Sequence, residues 1–282
     1  MHFFKRENPG EKWGLSPFFS RPCKRKMSEQ EDQIVARFRL SLSGNDIEME
    51  VPVPKAEVTV TQILPVFQML ADDFTRLAAA AAEGGGHAIT CRKGCSACCR
   101  QLVPVSHPEA RSLFALVDSF PEPRKLATLE RFRAARERLA KTNIPEQVLS
   151  GSFRSREALT DLGLGYFRLG IPCPFLEEDA CSIYEHRPVK CREYLVTSPA
   201  EECGNPSPER IHKVKNAGNA WKALAMIGWE CRERSPHWVP LTLALEWAEA
   251  HPEPRTRRPA SDLLRDFFRI FAERNVPDVR ET

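Results

Sequence analysis

Cys91-Arg92-Lys93-Gly94-Cys95-Ser96-Ala97-Cys98-Cys99 is the stretch on which the reading of this chain turns. It places four of the ten cysteines within nine residues. Packing has no need of four small apolar side chains so close together, whereas thiolates are soft ligands for zinc, iron and iron–sulfur clusters. Gly94 gives the backbone the freedom to curl with positive φ. A second group lies about seventy residues on: Cys173-Pro174-Phe175-Leu176, then Cys181-Ser182-Ile183-Tyr184, then Arg187-Pro188-Val189-Lys190-Cys191-Arg192, with Cys203 beyond. The expectation is that the chain folds so that the two stretches meet around metal.

Seven or eight thiolates exceed what one mononuclear ion needs. Two centres, one multinuclear centre, or some redox-active thiols among the ligands all satisfy the count. Arg92, Lys93, Arg187, Lys190 and Arg192 flank the cysteines, and cations beside thiols favour the thiolate. Pro188 biases Arg187 toward an extended backbone. Tyr184 and Arg187 are expected to support the loop that carries Cys191, with Arg192 beside it. Cys23 and Cys231 fall outside the pattern. His107 reads as a helix-cap residue rather than a ligand.

Composition bounds the rest. The chain has 282 residues, 42% hydrophobic and 28% charged, as a soluble globular protein does. No run approaches the roughly 18–20 apolar residues of a membrane helix. The net charge of +3 is unevenly placed. Residues 1–26 hold seven Lys/Arg against two Glu, so the remainder carries 34 basic and 36 acidic residues. A near-neutral body has no electrostatic footprint for nucleic acid. The N-terminus lacks the apolar core of a signal peptide. Adjacent Cys98 and Cys99 suit a disulfide framework poorly, so the cysteines read as metal-bound thiolates in the cytoplasm.

Mainly α structure is expected, with a small N-terminal β-hairpin and irregular cysteine-rich loops at the centre. Residues 1–26 read as a disordered basic leader, with Met27 as an alternative start. Residues 27–86 read as hairpin and helix. Over 34–53, Ile34, Ala36, Phe38, Leu40 and Leu42 alternate, and Ile47, Met49, Val51 and Val53 answer them across a Ser43-Gly44-Asn45-Asp46 turn. Pro52 and Pro54 are expected to end the pairing. A helix from a Thr61 cap to about Glu83 carries Ile63, Phe67, Leu70, Phe74 and Leu77 on one stripe. Gly84-Gly85-Gly86 stops it.

Residues 87–251 read as the cysteine-cluster domain, with a helical insertion over about 106–170. Within it Ser106-His107-Pro108-Glu109 forms a capping box. A charged helix over 121–142 faces inward through Leu126, Leu129, Phe132, Ala135 and Leu139. A loop over 143–155 and a helix over 156–169 follow. Further helices are expected over 208–227 and 236–251. Residues 252–282 read as a linker and a Ser261-capped amphipathic helix that packs back on the body.

The two cysteine stretches together resemble the YkgJ-type, or CxxCxxCC, cysteine-cluster family over roughly residues 88–205. This chain has three residues, not two, between its first two cysteines. The resemblance implies a zinc- or iron-chelating domain; from the thiolate chemistry an iron–sulfur cluster is also open, and Cys91, Cys95, Cys98, Cys99, Cys173, Cys181, Cys191 and Cys203 are the candidate metal set. The resemblance reaches distantly to flagellin lysine N-methylases, so protein lysine methylation with S-adenosylmethionine is an alternative. Cys91, Cys95 and Cys98 also match the three-cysteine spacing of radical adenosylmethionine enzymes, although the strand–helix alternation of their barrel is missing. A structural zinc module that mediates contacts is a third reading. A redox thiol protein is a fourth, disfavoured because no isolated C-x-x-C sits on a βαβ unit. A protein partner or substrate is expected, of unknown kind.

Overall fold

The computed structural model describes residues 33–42, 45–149, 156–227 and 237–272. The basic leader, the Ser43-Gly44 half of the first turn, Cys23 and Cys231 lie outside them. The expected class holds: among the described residues helices dominate, beside three two-stranded antiparallel sheets.

The hairpin pairs β1 (Gln33–Leu42) with β2 (Asn45–Pro54). Ala36 lies opposite Val51 and Phe38 opposite Met49, so the apolar sets share one face. Val51 and Val53 are fully buried, while Ile34, read as part of the same face, is 41% exposed near the strand end. Pro52 does not end the pairing, since it lies opposite Val35, but the ladder does close at Pro54, opposite Gln33. In a two-stranded sheet each strand has a free edge, and a proline tolerates such a position because no ladder bond is asked of it.

Helix α1 (Val60–Gly84) is capped two residues before the expected position. Thr59, not Thr61, is the N-cap, and its hydroxyl and the Gln62 side chain close a capping box. Ile63, Leu64, Phe67, Leu70 and Phe74 are buried, but Leu77 is 53% exposed. The helix ends at the glycines, with Gly86 at φ 84°.

Strand β3 (Pro104–Ser106) leads into α2 (His107–Asp118), and α3 (Glu122–Leu139) follows. Phe132, Ala135 and Leu139 are buried on α3 as expected, whereas Leu126 and Leu129 are exposed. Ile144–Leu149, expected as loop, forms the short helix α4, because Ile144 and Val148 find a core with Leu139, Leu162 and Tyr166. Helix α5 (Arg156–Arg168) completes that group.

A tight hairpin of β4 (Leu176–Glu177) and β5 (Ala180–Cys181) precedes a 3-10 turn at Tyr184–His186, then α6 (Val189–Glu193) and α7 (Ala200–Cys203). The expected helix over 208–227 shrinks to α8 (Ala220–Met226). The chain before it runs irregularly, bridging Lys213 to Val196. The expected helix over 236–251 becomes β6 (Trp238–Pro240), a 3-10 turn and α9 (Ala244–Ala250). Strand β6 pairs with β3, and α9 packs on α2.

Finally α10 (Ala260–Ala272) returns to the body as expected. Its Leu263, Leu264, Phe267, Phe268 and Phe271 are buried against the hairpin, α1 and α8. Phe67 stacks on Phe267 at 5.0 Å and Phe74 on Phe271 at 4.3 Å. No helix among the described residues is long and apolar enough to cross a membrane.

Candidate metal centre

The first cysteine loop is built from two consecutive turns. The Cys95 amide donates to the Arg92 carbonyl at 3.1 Å, and the Cys99 amide to the Ser96 carbonyl at 2.8 Å. Gly94 sits at φ 90°, the left-handed conformation that a Cβ disfavours. Thr90 ties the entrance down, its amide to the Val196 carbonyl at 3.1 Å and its hydroxyl to the Ser198 carbonyl at 2.6 Å. In return the Val196 amide donates to the Cys91 sulfur at 3.3 Å. Such N–H···S bonds stabilise thiolate charge.

The second stretch meets the first directly. The Cys173 amide donates to the Cys99 carbonyl at 2.7 Å. From there Phe175 plunges into the core against Phe132, and β4 turns back through Glu178 (φ 47°) and Asp179 (φ 53°) to place Cys181 opposite Leu176. Cys191 rides on α6, and Cys203 ends α7.

All eight cysteines of the described residues are free thiols, Cys203 buried and the others partly so. Their electrostatics show one neighbourhood. Burial pushes Cys173 up to about 12, helped by the thiols of Cys181 and Cys98. Burial, then Cys98, Cys91 and Cys95, push Cys203 up to about 11. Burial also raises Cys91 and Cys181, and in both Cys98 adds to the rise. Cys191 is raised far by burial, then by Cys173, Cys98 and Cys181. Cys98 itself is raised by its hydrogen bond with Cys99 and by burial. Thus Cys98 is felt by Cys91 in its own stretch and by Cys173, Cys181, Cys191 and Cys203 of the other. Neutral thiols crowded together resist ionisation; a cation among them reverses that balance.

Among the described residues, however, no three Cys, His, Asp or Glu side chains form a group that could hold an ion as they stand. The two observations differ in range. Charge coupling reaches up to a Debye length of about 8–10 Å, whereas zinc–sulfur bonds are about 2.3 Å. The thiols share a neighbourhood, and closing a shell would take side-chain rotation. The donor set itself fits a soft metal: sulfur throughout, amide support at Cys91, and a partly buried cation close by.

That cation is Arg187. Its guanidinium lies 4.1 Å from the centre of the Tyr184 ring, and its Nε is buried without a hydrogen-bond partner. Its charge lowers Cys91, Cys98 and Cys181 against the effects that raise them. Arg192 is buried and holds the loop: Nε donates to the Arg187 carbonyl at 2.8 Å and Nη2 to the Glu185 carbonyl at 2.6 Å, while Nη1 pairs with Asp72 of α1. Lys93 is largely exposed, paired with Glu185 at 3.3 Å.

Residues 90–217 match the family model CxxCxxCC, "Putative zinc- or iron-chelating domain". The matched segment is similar to the CxxCxxCC domain. No curated protein and no solved structure gives a significant match to the chain. The match covers both cysteine stretches and Cys203, and it begins just before Cys91 despite the longer first spacing.

Several residues around the cysteines escaped sequence reasoning. Glu109 was legible as a capping-box residue, and its Oε2 does accept from the Ser106 amide at 2.8 Å and hydroxyl at 2.7 Å. Its Oε1 also accepts from the Val189 amide at 2.6 Å, which fixes the start of α6 two residues before Cys191. Tyr194 carries a hydrogen bond with Cys203 and one from Gln101 at 3.4 Å. Glu193 accepts from the Ala220 amide at 2.6 Å, and burial pushes it up to about 7. Asp72 gave no signal beyond being an acid on a helix. His107 opens α2 within the capping box as expected, but it is not at the surface: it stacks on Trp247 at 3.9 Å and is partly buried.

Proposed function

We propose that this chain is a metal-chelating protein that takes zinc or iron, the iron as an ion or an iron–sulfur cluster, through the thiolates of Cys91, Cys95, Cys98, Cys99, Cys173, Cys181, Cys191 and Cys203. The observation that carries the reading is the meeting of two distant cysteine stretches, joined by the Cys173 amide on the Cys99 carbonyl. The chelating description of the CxxCxxCC domain supports the metal class. A bound zinc would supply a rigid cross-link or a Lewis acid, and bound iron a redox centre.

The chain's own residues do the rest. Arg192 and Asp72 fasten the loop that presents Arg187, Glu109 fastens the helix that presents Cys191, and Thr90 fastens the entrance to Cys91. Each thiol that binds gives up its proton to solvent. Free thiols in this number fit a reducing compartment such as the cytoplasm. Methyl transfer draws no support from the described residues, whose sheets are all two-stranded and antiparallel.

The test is anaerobic purification followed by metal analysis and a visible spectrum on one sample. Iron with acid-labile sulfide and a brown colour identifies a cluster protein. Stoichiometric zinc without colour identifies a zinc protein. Freely reactive cysteines with neither metal overturn the reading.

A further inference from the structure

The two outer edges of the N-terminal hairpin are not alike. A proline fits a ladder only where its nitrogen points away from the partner strand. Pro52 lies opposite Val35 and Pro54 opposite Gln33, so these are the non-hydrogen-bonded pairs. The closing pair Leu42–Asn45, two residues apart across the turn, gives the same parity. By alternation the N–H and C=O groups of Gln33, Val35 and Arg37 point away from β2, along the outer edge of β1. The outer edge of β2 presents Pro52 and Pro54 and has no donor at either. Among the described residues β1 pairs with no strand but β2.

The side chains at this edge add to the backbone. Val35 is 56% exposed and Ile34 41%, two β-branched apolar residues on opposite faces of the strand's start. An open edge of this kind is a template for another strand. Charge selects the register. Outward backbone groups belong to the odd-numbered residues, so antiparallel pairing of β1 with a second β1 sets odd against odd and keeps the apolar faces on one side. A two-fold axis at Arg37 would oppose that residue to its own copy, and like charges directly opposite destabilise. An axis at Ala36 would set Val35 against Arg37. An axis at Val35 sets Val35 on Val35, Gln33 against Arg37 and Ile34 beside Ala36, with no like charges opposed.

We propose that the outer edge of β1 is a dimerisation surface, pairing antiparallel with β1 of a second copy about a two-fold axis at Val35. The resulting sheet, ordered β2-β1-β1-β2, ends on a proline-bearing edge at both sides, so association closes at two copies and does not run on into a filament. The ladder is short, which makes the dimer weak and dependent on concentration.

The experiment is sedimentation velocity on the full chain, over about two decades of concentration. The protein is purified anaerobically with a thiol reductant, so that no disulfide joins copies. Wild type is expected to pass from monomer to dimer as concentration rises. Val35→Lys and Val35→Glu are each expected to weaken the dimer about 10-fold or more, because each opposes a charge to its own copy. An equimolar mixture of the two variants is expected to associate better than either alone, because the axis brings residue 35 of one copy onto residue 35 of the other. Thermal melts establish that each variant is folded. Gln33→Lys, at the exposed strand end, should also weaken the dimer by facing Arg37 of the second copy, and Gln33→Glu should tighten it. That pair carries the test if a variant at residue 35 does not fold.

A wild type that stays monomeric throughout overturns the proposal, whatever covers the edge instead, residues 1–32 of the chain itself included. A dimer untouched by the variants at residues 33 and 35 also overturns it, since the contact then lies elsewhere. Variants at residue 35 that each weaken the dimer but gain nothing on mixing overturn the two-fold register.

Discussion

Glu109 is a carboxylate enclosed by the fold, with its pKa raised by burial against the pull of Ser106 and Val189. It joins the start of α2 to the start of α6. Removing it orphans two buried amides, each worth about 1–3 kcal/mol. Glu109→Ala is therefore expected to cost about 2–5 kcal/mol in denaturant unfolding. Glu109→Gln keeps the shape and one acceptor and should cost less than half as much. Equal losses would place the effect in side-chain volume rather than in the hydrogen bonds. The first half of this role was legible, because Ser106 and Glu109 lie three apart in sequence. The second was not, because Val189 is eighty residues away and nothing in the sequence ties the two together.

His107 carries the opposite kind of burial. Burial first, then the charge of His237, Arg111 and His251, push it down to about 4 from an ordinary 6.5. The folded protein refuses a proton that the unfolded chain accepts. The contribution to stability is thus present above pH 6.5 and is lost as pH falls toward 4. Glu193, held up at about 7, works in the other sense: its contribution is present below the ordinary carboxylate range and is lost as pH rises through 7. A comparison of wild type with His107→Phe, which keeps the stack on Trp247, separates the two. The stability of wild type relative to His107→Phe should rise by up to about 2 kcal/mol from pH 4.5 to 7. A flat difference would mean that the ring titrates normally.

At the scale of elements, sequence reading succeeded where a segment's period agreed with its surroundings. The hairpin alternates and one of its faces packs on α10, whose five apolar residues fall on one stripe. It failed where distant partners decided. Trp238-Val239-Pro240 lies in an apolar run of helical appearance, but Val239 finds Val105 across a strand pair. Residues 208–219 show helical spacing, yet Lys213 bridges Val196, and Asn216 donates to the Glu193 carbonyl at 3.1 Å. Those contacts hold the segment whose Val196 amide reaches Cys91, so the missed stretch is part of the site's support. Near its end lies Gly218, where a Cβ would stand 2.5 Å from the Phe271 ring. Phe271 is buried and stacked on Phe74, with little room to retreat. Gly218→Ala should destabilise by about 1–3 kcal/mol, seen as a lowered Tm. Combining it with Phe271→Leu, which shortens the obstacle, should recover part of that loss.

At the scale of the molecule, three apolar clusters border the cysteine loops. Val189 belongs to the cluster of hairpin, α1, α8 and α10. Cys173 and Cys181 pack against that of α2 and α9. Ile171 belongs to that of α3, α4 and α5. The cysteine residues themselves were legible from spacing and residue type alone. Their setting was not, because each cluster draws on parts of the chain far apart in sequence. A metal bound at this junction would hold the three clusters together and add its binding free energy to stability, about 4 kcal/mol at a thousandfold excess over Kd. Chelator should therefore lower Tm, and hydrogen exchange should quicken first over 90–101 and 173–203. The amides of α1 and α10 should keep their protection longest. Uniform loss everywhere would show that the three clusters have no stability apart from the loops.

The tip of the β4–β5 hairpin limits how this chain can change over evolutionary time. Glu178 and Asp179 are both exposed and both left-handed. Glycine, asparagine or aspartate can take either position without disturbing a packed neighbour, whereas valine or isoleucine would meet a steric penalty. The composition of the tip is therefore free to drift toward turn-forming residues. Its length is not: one inserted residue would slip the pairing by a single step and turn Cys181 to the opposite face of the ribbon.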